Sequence, residues 1–172
     1  MQGRNPVSMV VSGDEERLIV AHMATYDFDA QNYDLDSPYG GIEIIDLDSE
    51  TTLAFIDDED LDGYFERVII DEDTIYAVVS QLDSDFVFKS KIVSFKDDAT
   101  DESDFETFED FSDDIRAIMV DQDFLWVSRR VQDTTSEIKE PKVTVHDKST
   151  GDLIDTVGME TTGVSFAAGD TN

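Results

Sequence analysis

Short apolar runs separated by acidic turns recur along the whole chain. Arg17-Leu18-Ile19-Val20-Ala21, Thr74-Ile75-Tyr76-Ala77-Val78 and Phe124-Leu125-Trp126-Val127-Ser128 each follow an acidic turn. They are rich in β-branched and aromatic residues, the composition of a strand. A second set lies downstream: Ile42-Glu43-Ile44-Ile45-Asp46, Val93-Ser94-Phe95-Lys96-Asp97 and Val143-Thr144-Val145-His146-Asp147. Leu18, Ile75 and Leu125 stand 57 and 50 residues apart, and Asp46, Asp97 and Asp147 stand 51 and 50 apart. Two independent sets that share one period make the chain an internal repeat. No window carries a 3.6-residue apolar period over a helical length, so little helix is expected.

Each repeat has room for four antiparallel strands. In the third these are Arg116 to Val120, Phe124 to Ser128, Lys142 to His146 and Leu153 to Val157. The connection after the second strand is long in the first repeat, Met23 to Gly40, and short in the second, Gln81 to Phe86. Pro6, Pro38 and Pro141 fall at strand starts or in loops, where a missing N–H does little harm. A period of about 50 residues with four strands per repeat is that of propeller blades. The expected fold class is therefore all-β, with four-stranded blades over residues 5–63, 64–114 and 115–163, and residues 164–172 opening a fourth. Propellers close with about 4–8 blades. Three therefore imply either the remaining blades of a longer chain or a second copy that closes the ring.

Asn5-Pro6-Val7-Ser8-Met9-Val10-Val11-Ser12-Gly13-Asp14-Glu15-Glu16-Arg17-Leu18-Ile19-Val20-Ala21 resembles the strand-turn-strand opening of YVTN-type, lactonase-like β-propeller repeats. The run from Val143 to Val157, with Asp147 and the turn Thr150-Gly151, is similar to their closing hairpin. The first repeat departs from it by carrying Glu50 where the turn glycine would stand, and the second by the acidic insertion Asp97 to Asp104. The resemblance implies a propeller whose ligand face carries the loops after the second strands. Its motifs are turn chemistry and alternation, so they specify fold better than function.

Charge narrows the partners. Asp and Glu number 42 against 12 Lys and Arg, a net charge of −30. Phosphate binding needs clustered cations, so nucleic acid is excluded as a partner. Anionic membrane surfaces are disfavoured, and no run approaches the roughly 20 apolar residues of a span. The chain opens on Met1-Gln2-Gly3-Arg4-Asn5-Pro6 with no signal-peptide pattern. Self-repulsion at this charge is relieved by salt or by divalent cations. That points to an extracellular, cell-surface or periplasmic setting, or to the cytoplasm of a halophile. The absence of Cys removes disulfides and thiol chemistry. With 40% hydrophobic residues the chain can still build a core, which separates it from acidic disordered chains.

Two candidate sites follow. Asp58-Glu59-Asp60-Leu61-Asp62-Gly63-Tyr64-Phe65-Glu66 places acids at positions 1, 3, 5 and 9 and Gly at 6, the opening of a calcium loop. Its ligands would be Asp58, Asp60, Asp62, Tyr64 and Glu66. Ile69 at position 12 excludes a complete EF-hand, and an acidic turn between blades is the competing reading. The second site is the loop face, with His22, Tyr26, Asp27, Asp29, Tyr33, Arg129 and Arg130 as ligand-binding candidates for a protein or glycan partner. Arg129-Arg130, the one adjacent basic pair, reads either as an anion contact or as an intramolecular ion pair. Catalytic patterns are poor: there are two His, no nucleophile elbow and no phosphate loop. For a hydrolase, only Glu66, Arg116 and His22 are candidates. The expected function is a non-enzymatic binding module, possible calcium included, with a fragment of a lactonase-like hydrolase as the alternative.

Overall fold

The computed structural model describes residues 5–27, 29, 32–34, 40–58, 61–83, 85, 87–131 and 141–158. In chain order the strands are β1 Pro6–Val11, β2 Arg17–His22, β3 Thr25–Asp27, β4 Asn32–Asp34, β5 Gly41–Asp46, β6 Thr51–Asp57 and β7 Tyr64–Asp71. They continue as β8 Thr74–Leu82, β9 Phe88–Lys96, β10 Glu106–Asp121, β11 Phe124–Arg130, β12 Lys142–Asp147 and β13 Leu153–Gly158. No α-helix occurs among the described residues. The segment read as a fourth repeat's opening, 164–172, lies outside them. The connection from Met23 to Gly40, expected to be a plain loop, carries a hairpin of β3 and β4 with Tyr26 opposite Tyr33. Three-residue strands are too short for alternation to reveal them.

The strands form an antiparallel sheet of order β1-β2-β5-β6 and a seven-stranded sheet of order β13-β12-β11-β10-β9-β8-β7. The 16 residues of β10 serve two neighbours. Glu106–Asp113 pair with β9, and Asp114–Asp121 pair with β11. Register breaks at Thr107/Glu109, Glu109/Ser112 and Ile115/Ala117 bend the strand, as extra unpaired residues do. The sheet therefore divides into two four-stranded units that share β10. With β1-β2-β5-β6 this makes three units in sequence.

The middle unit is covered on both faces. Ile75, Ala77 and Val79 of β8 point toward the first unit, joining Ile19, Ala21, Ile42 and Ile44 in one core. Tyr76 and Val78, the alternate residues, point toward the third unit, joining Ile115, Ile118, Leu125 and Val127 in another. That is why β8 reads as an unbroken apolar run: a strand buried on both faces has no polar side to show. Fully burying each such side chain contributes about 1.5–3 kcal/mol.

The turns repeat as faithfully as the strands. Glu15, Glu72 and Gln122 lie two residues before β2, β8 and β11, with φ of 63°, 55° and 48°. At the turn between third and fourth strands, Gly151 has φ of 78°, and Glu50, at the same distance from Asp46 as Gly151 from Asp147, has φ of 55°. The glycine missing from the first repeat is thus missing from a site that still needs the left-handed conformation. Asp46 and Asp147 hold these turns by accepting from Ser49 and Ser149 backbone N–H groups at 2.7 and 2.9 Å.

Candidate functional site

The connections after β2, β8 and β11 leave the sheets at the end where the units join one another, at 58–63 and at Asp113/Asp114. Buried polar groups concentrate there. At the end of β2, His22 is fully buried and its Nε2 donates to Glu43 Oε2 at 3.0 Å. Glu43, also fully buried, accepts from Thr52 Oγ1 at 2.6 Å. The register explains the meeting: His22 lies opposite Gly41 and Val20 opposite Glu43, so the two side chains are diagonal neighbours on one face. Burial lowers the His22 pKa from its ordinary value, and the bond to Glu43 offsets part of that shift. His22 is therefore a neutral core residue with a carboxylate partner. Glu43 went unnoticed in the sequence, although a lone acid between Ile42 and Ile44 was the available signal.

The 58–66 connection is not assembled as a ligand shell among its described residues. Asp58 is fully buried, and neither carboxylate oxygen has a hydrogen-bond partner among the described residues. Burial, reinforced by the neighbouring Asp57, raises its pKa to about 7. The carboxylate lies against Gly40, where any side chain would strike it. Asp62 is exposed and contributes to the field around Lys91. Glu66 Oε2 accepts from Ser80 Oγ at 2.8 Å, Ser80 pairs with Ser90 at 2.9 Å, and Ser90 Oγ accepts from Ile115 N at 3.1 Å. That chain of bonds fastens the second unit to the start of the third. Tyr64 is buried, and Asp60 lies outside the described residues. Among the described residues no three His, Asp or Glu converge on one point. Gly63 does not supply the left-handed turn residue either: Asp62 does, with φ of 55°. A Cβ on Gly63 would lie 2.7 Å from Ser80 O, so the glycine permits close approach of β7 to β8.

Arg129 and Arg130 point to opposite faces of β11, as successive strand residues must. Arg129 is buried between the second and third units. It donates to Thr144 Oγ1 at 2.8 Å and Ser112 Oγ at 2.7 Å, and it pairs with Glu109. His146 joins this group through Thr144 Oγ1 at 3.0 Å, while its Nδ1 lies 3.1 Å from Gly151 O. A carbonyl only accepts, so Nδ1 carries a proton. On the other face, Arg130 Nε donates to buried Asp114 at 2.8 Å, and Arg116 Nε lies 3.1 Å from the same carboxylate. Both members of the basic pair are thus held in intramolecular ion pairs. Tyr26, Asp27 and Tyr33 lie on the β3–β4 hairpin and Asp29 at its exposed tip. The hydrolase candidates Glu66, Arg116 and His22 belong to three different units and each engages a neighbour within its own unit.

Clefts lie at both ends of the sheets. One of about 370 Å³ lies at the connection end, lined by Gln81, Phe88, Lys89, Phe111, Ser112 and Asp113. The larger, about 470 Å³, lies at the opposite, turn end, between the second and third units. Its lysines are engaged: Lys148 Nζ donates to Asp71 at 2.6 Å and Lys96 Nζ to Asp73 at 2.8 Å.

No family model and no curated protein matches the sequence. Solved structures do resemble the fold. The chain is similar to hydrazine synthase of Kuenenia stuttgartiensis, with a TM-score of 0.61 and 14% identity over 90% of this chain and 42% of that one. It is also similar to the tricorn protease, with a TM-score of 0.55 and 10% identity over 86% of this chain and 18% of that one. Both are propeller-containing proteins. The chain thus spans less than half of either neighbour. At such identity the likeness concerns the fold alone, and chemistry has to be argued from the site.

Proposed function

We propose that the chain is three successive blades of a β-propeller and acts as a non-enzymatic binding scaffold, with its connection end turned toward a protein or glycan partner. The observation that carries this reading is the middle unit, buried on both faces between two units of the same strand order. Such stacking, with β10 passing directly from one unit to the next, is how blades succeed one another around an axis. The groups best suited to catalysis serve the scaffold instead, as the pairs His22–Glu43 and Arg129–Glu109 illustrate. The charge of −30 suits a saline environment, surface-exposed or within a halophile. Binding of the intact chain to a glycan and peptide panel, run beside a lactone hydrolysis assay, tests the reading. Saturable binding without turnover supports it. Lactone turnover abolished in His22→Gln overturns it in favour of the hydrolase.

A second reading is favoured by Asp58 alone: a hard cation such as calcium stabilises the 58–66 connection by compensating that carboxylate. A melting temperature raised by calcium and not by magnesium, with the rise lost in Asp58→Asn, supports it. Equal responses to calcium and to NaCl of matched ionic strength reduce the effect to screening.

A further inference from the structure

The clefts at the two ends of the sheets differ in charge. Five acids, among them Asp71, Asp104 and Glu106, line the larger one against two lysines that are already paired. The smaller one, at the connection end of the second unit, carries one charge of each sign, Lys89 and Asp113. The register sets Gln81, Lys89 and Asp113 side by side across β8, β9 and β10, on the face that also holds Val79. Lys89 pairs with Asp83 at 3.1 Å and Asp113 with Lys142 at 2.6 Å, so the row is neutral in itself. Both keep bonding capacity, because an ammonium has three donors and a carboxylate about four acceptor sites. Gln81 supplies a donor and an acceptor together, and its amide has no partner among the described residues. Six residues after Leu18 and Leu125, where the repeat places its counterparts, stand Ala24, which is buried, and Val131. The amide is thus particular to the second unit. Two rings complete the lining. The Lys91 ammonium lies 4.8 Å from the centroid of Phe111, while Phe88 is half-buried and has no ring partner among the described residues.

We propose that this cleft binds a neutral oligosaccharide, with Gln81, Lys89 and Asp113 bonded to its hydroxyl groups and Phe88 against the C–H face of one sugar ring. The proposal rests on the binding-scaffold reading and names its ligand class. A hydroxyl donates and accepts at once, so a sugar diol needs donors and acceptors alternating at close range. Cross-strand neighbours provide them about 5 Å apart. An anionic ligand would need unpaired cations, and the one lysine of this lining is paired. A cationic ligand would find stronger attraction at the acidic turn end. An extended peptide would need free backbone groups, and β8, β9 and β10 are paired with one another along this row. The rest of the lining, Val87, Phe88 and Phe111, suits the apolar C–H faces of a sugar ring. The volume of about 370 Å³ falls within the roughly 300–1,000 Å³ of small-molecule sites.

Isothermal titration calorimetry of the whole chain with cellotriose, maltotriose, mannotriose and triacetylchitotriose should show saturable binding of at least one. Its affinity should stay constant between about 0.1 and about 1 M NaCl, because the ligand brings no charge to be screened. Phe88→Ala should weaken binding about tenfold. Gln81→Ala should weaken it about fivefold, and with an unchanged melting temperature, since the amide makes no bond within the described chain. No binding of any of the four sugars overturns the proposal. So does an equal sugar affinity in the wild type and both variants, which locates the sugar elsewhere. Tighter binding of triglutamate or trilysine than of every sugar also overturns it. Each of these failures leaves the scaffold reading standing, which falls only to lactone turnover lost in His22→Gln.

Discussion

Aspartates at the two ends of the sheets meet opposite fates. At the turn end, Asp14, Asp46 and Asp147 each accept hydrogen bonds from groups two or three residues away. Those bonds hold their pKa values below the ordinary carboxylate range, with Ser12, Ser49 and Ser149 the largest contributors. At the connection end, Asp58 is buried without a partner among the described residues, and its pKa rises to about 7. Asp114, equally buried, lies between Arg116 and Arg130. The contrast shows that a turn satisfies its carboxylate locally, from its own serine and backbone. A carboxylate where units join depends on what the rest of the fold brings to it.

Several substitutions sharpen that contrast. The largest effect is expected at the connection end. Arg129→Ala removes the cation from a buried group that includes Glu109 and His146, and stability in urea should fall by about 3 kcal/mol. A loss no larger than that of an exposed arginine would show the network to be decorative.

Next is the pH response of Asp58, measured with chelator present. Its folded pKa lies above the unfolded one, so its contribution to stability is complete below about pH 4 and is lost as pH rises through 7. Across that window the stability difference between the wild type and Asp58→Asn should shift toward the variant. The slope should approach about 1.4 kcal/mol per pH unit. Parallel stability curves for the two proteins would refute the burial of an unpaired carboxylate.

The turn carboxylates work in the other direction. Their folded pKa values are lowered, so the stability they add is present above the ordinary carboxylate pKa and disappears as pH falls through the folded values. Ser49→Ala should lower stability near neutrality, with the two profiles converging as pH falls through the folded values; unchanged stability near neutrality would contradict the local account. The smallest effect is at Glu50. Replacing it with Gly relieves a left-handed residue and should stabilise by about 0.5 kcal/mol, measured as a raised denaturation midpoint. A fall in the midpoint would mean that the Glu50 side chain contributes more than its backbone costs.

Much of the fold was legible in the chain. The 50-residue spacing, the acidic turns and the unbroken apolar run from Ile75 to Val79 reflect near-neighbour physics, so strands and turns fall close to where pattern places them. Glu50 shows how far this reaches: a departure from the expected glycine was visible, and the backbone it must adopt followed from its place in the repeat. The sites were less legible. The spacing of Asp58, Asp62 and Glu66 suggested convergence, yet β7 turns Glu66 toward Ser80 and leaves Asp62 near Lys91. Arg129 and Arg130 look alike in sequence and lie on opposite faces of β11, with different acids, in the fold.

What the sequence settled alone is the repeating unit: its longer strands, the acidic turns between them and the residues that alternate along them, because these depend on neighbours a few positions away. What only the tertiary structure decided is the fate of each charge. A carboxylate or guanidinium is stabilised by whatever strand is brought beside it, often from tens of residues away, and a register that sets His22 diagonal to Glu43 is written in no local pattern.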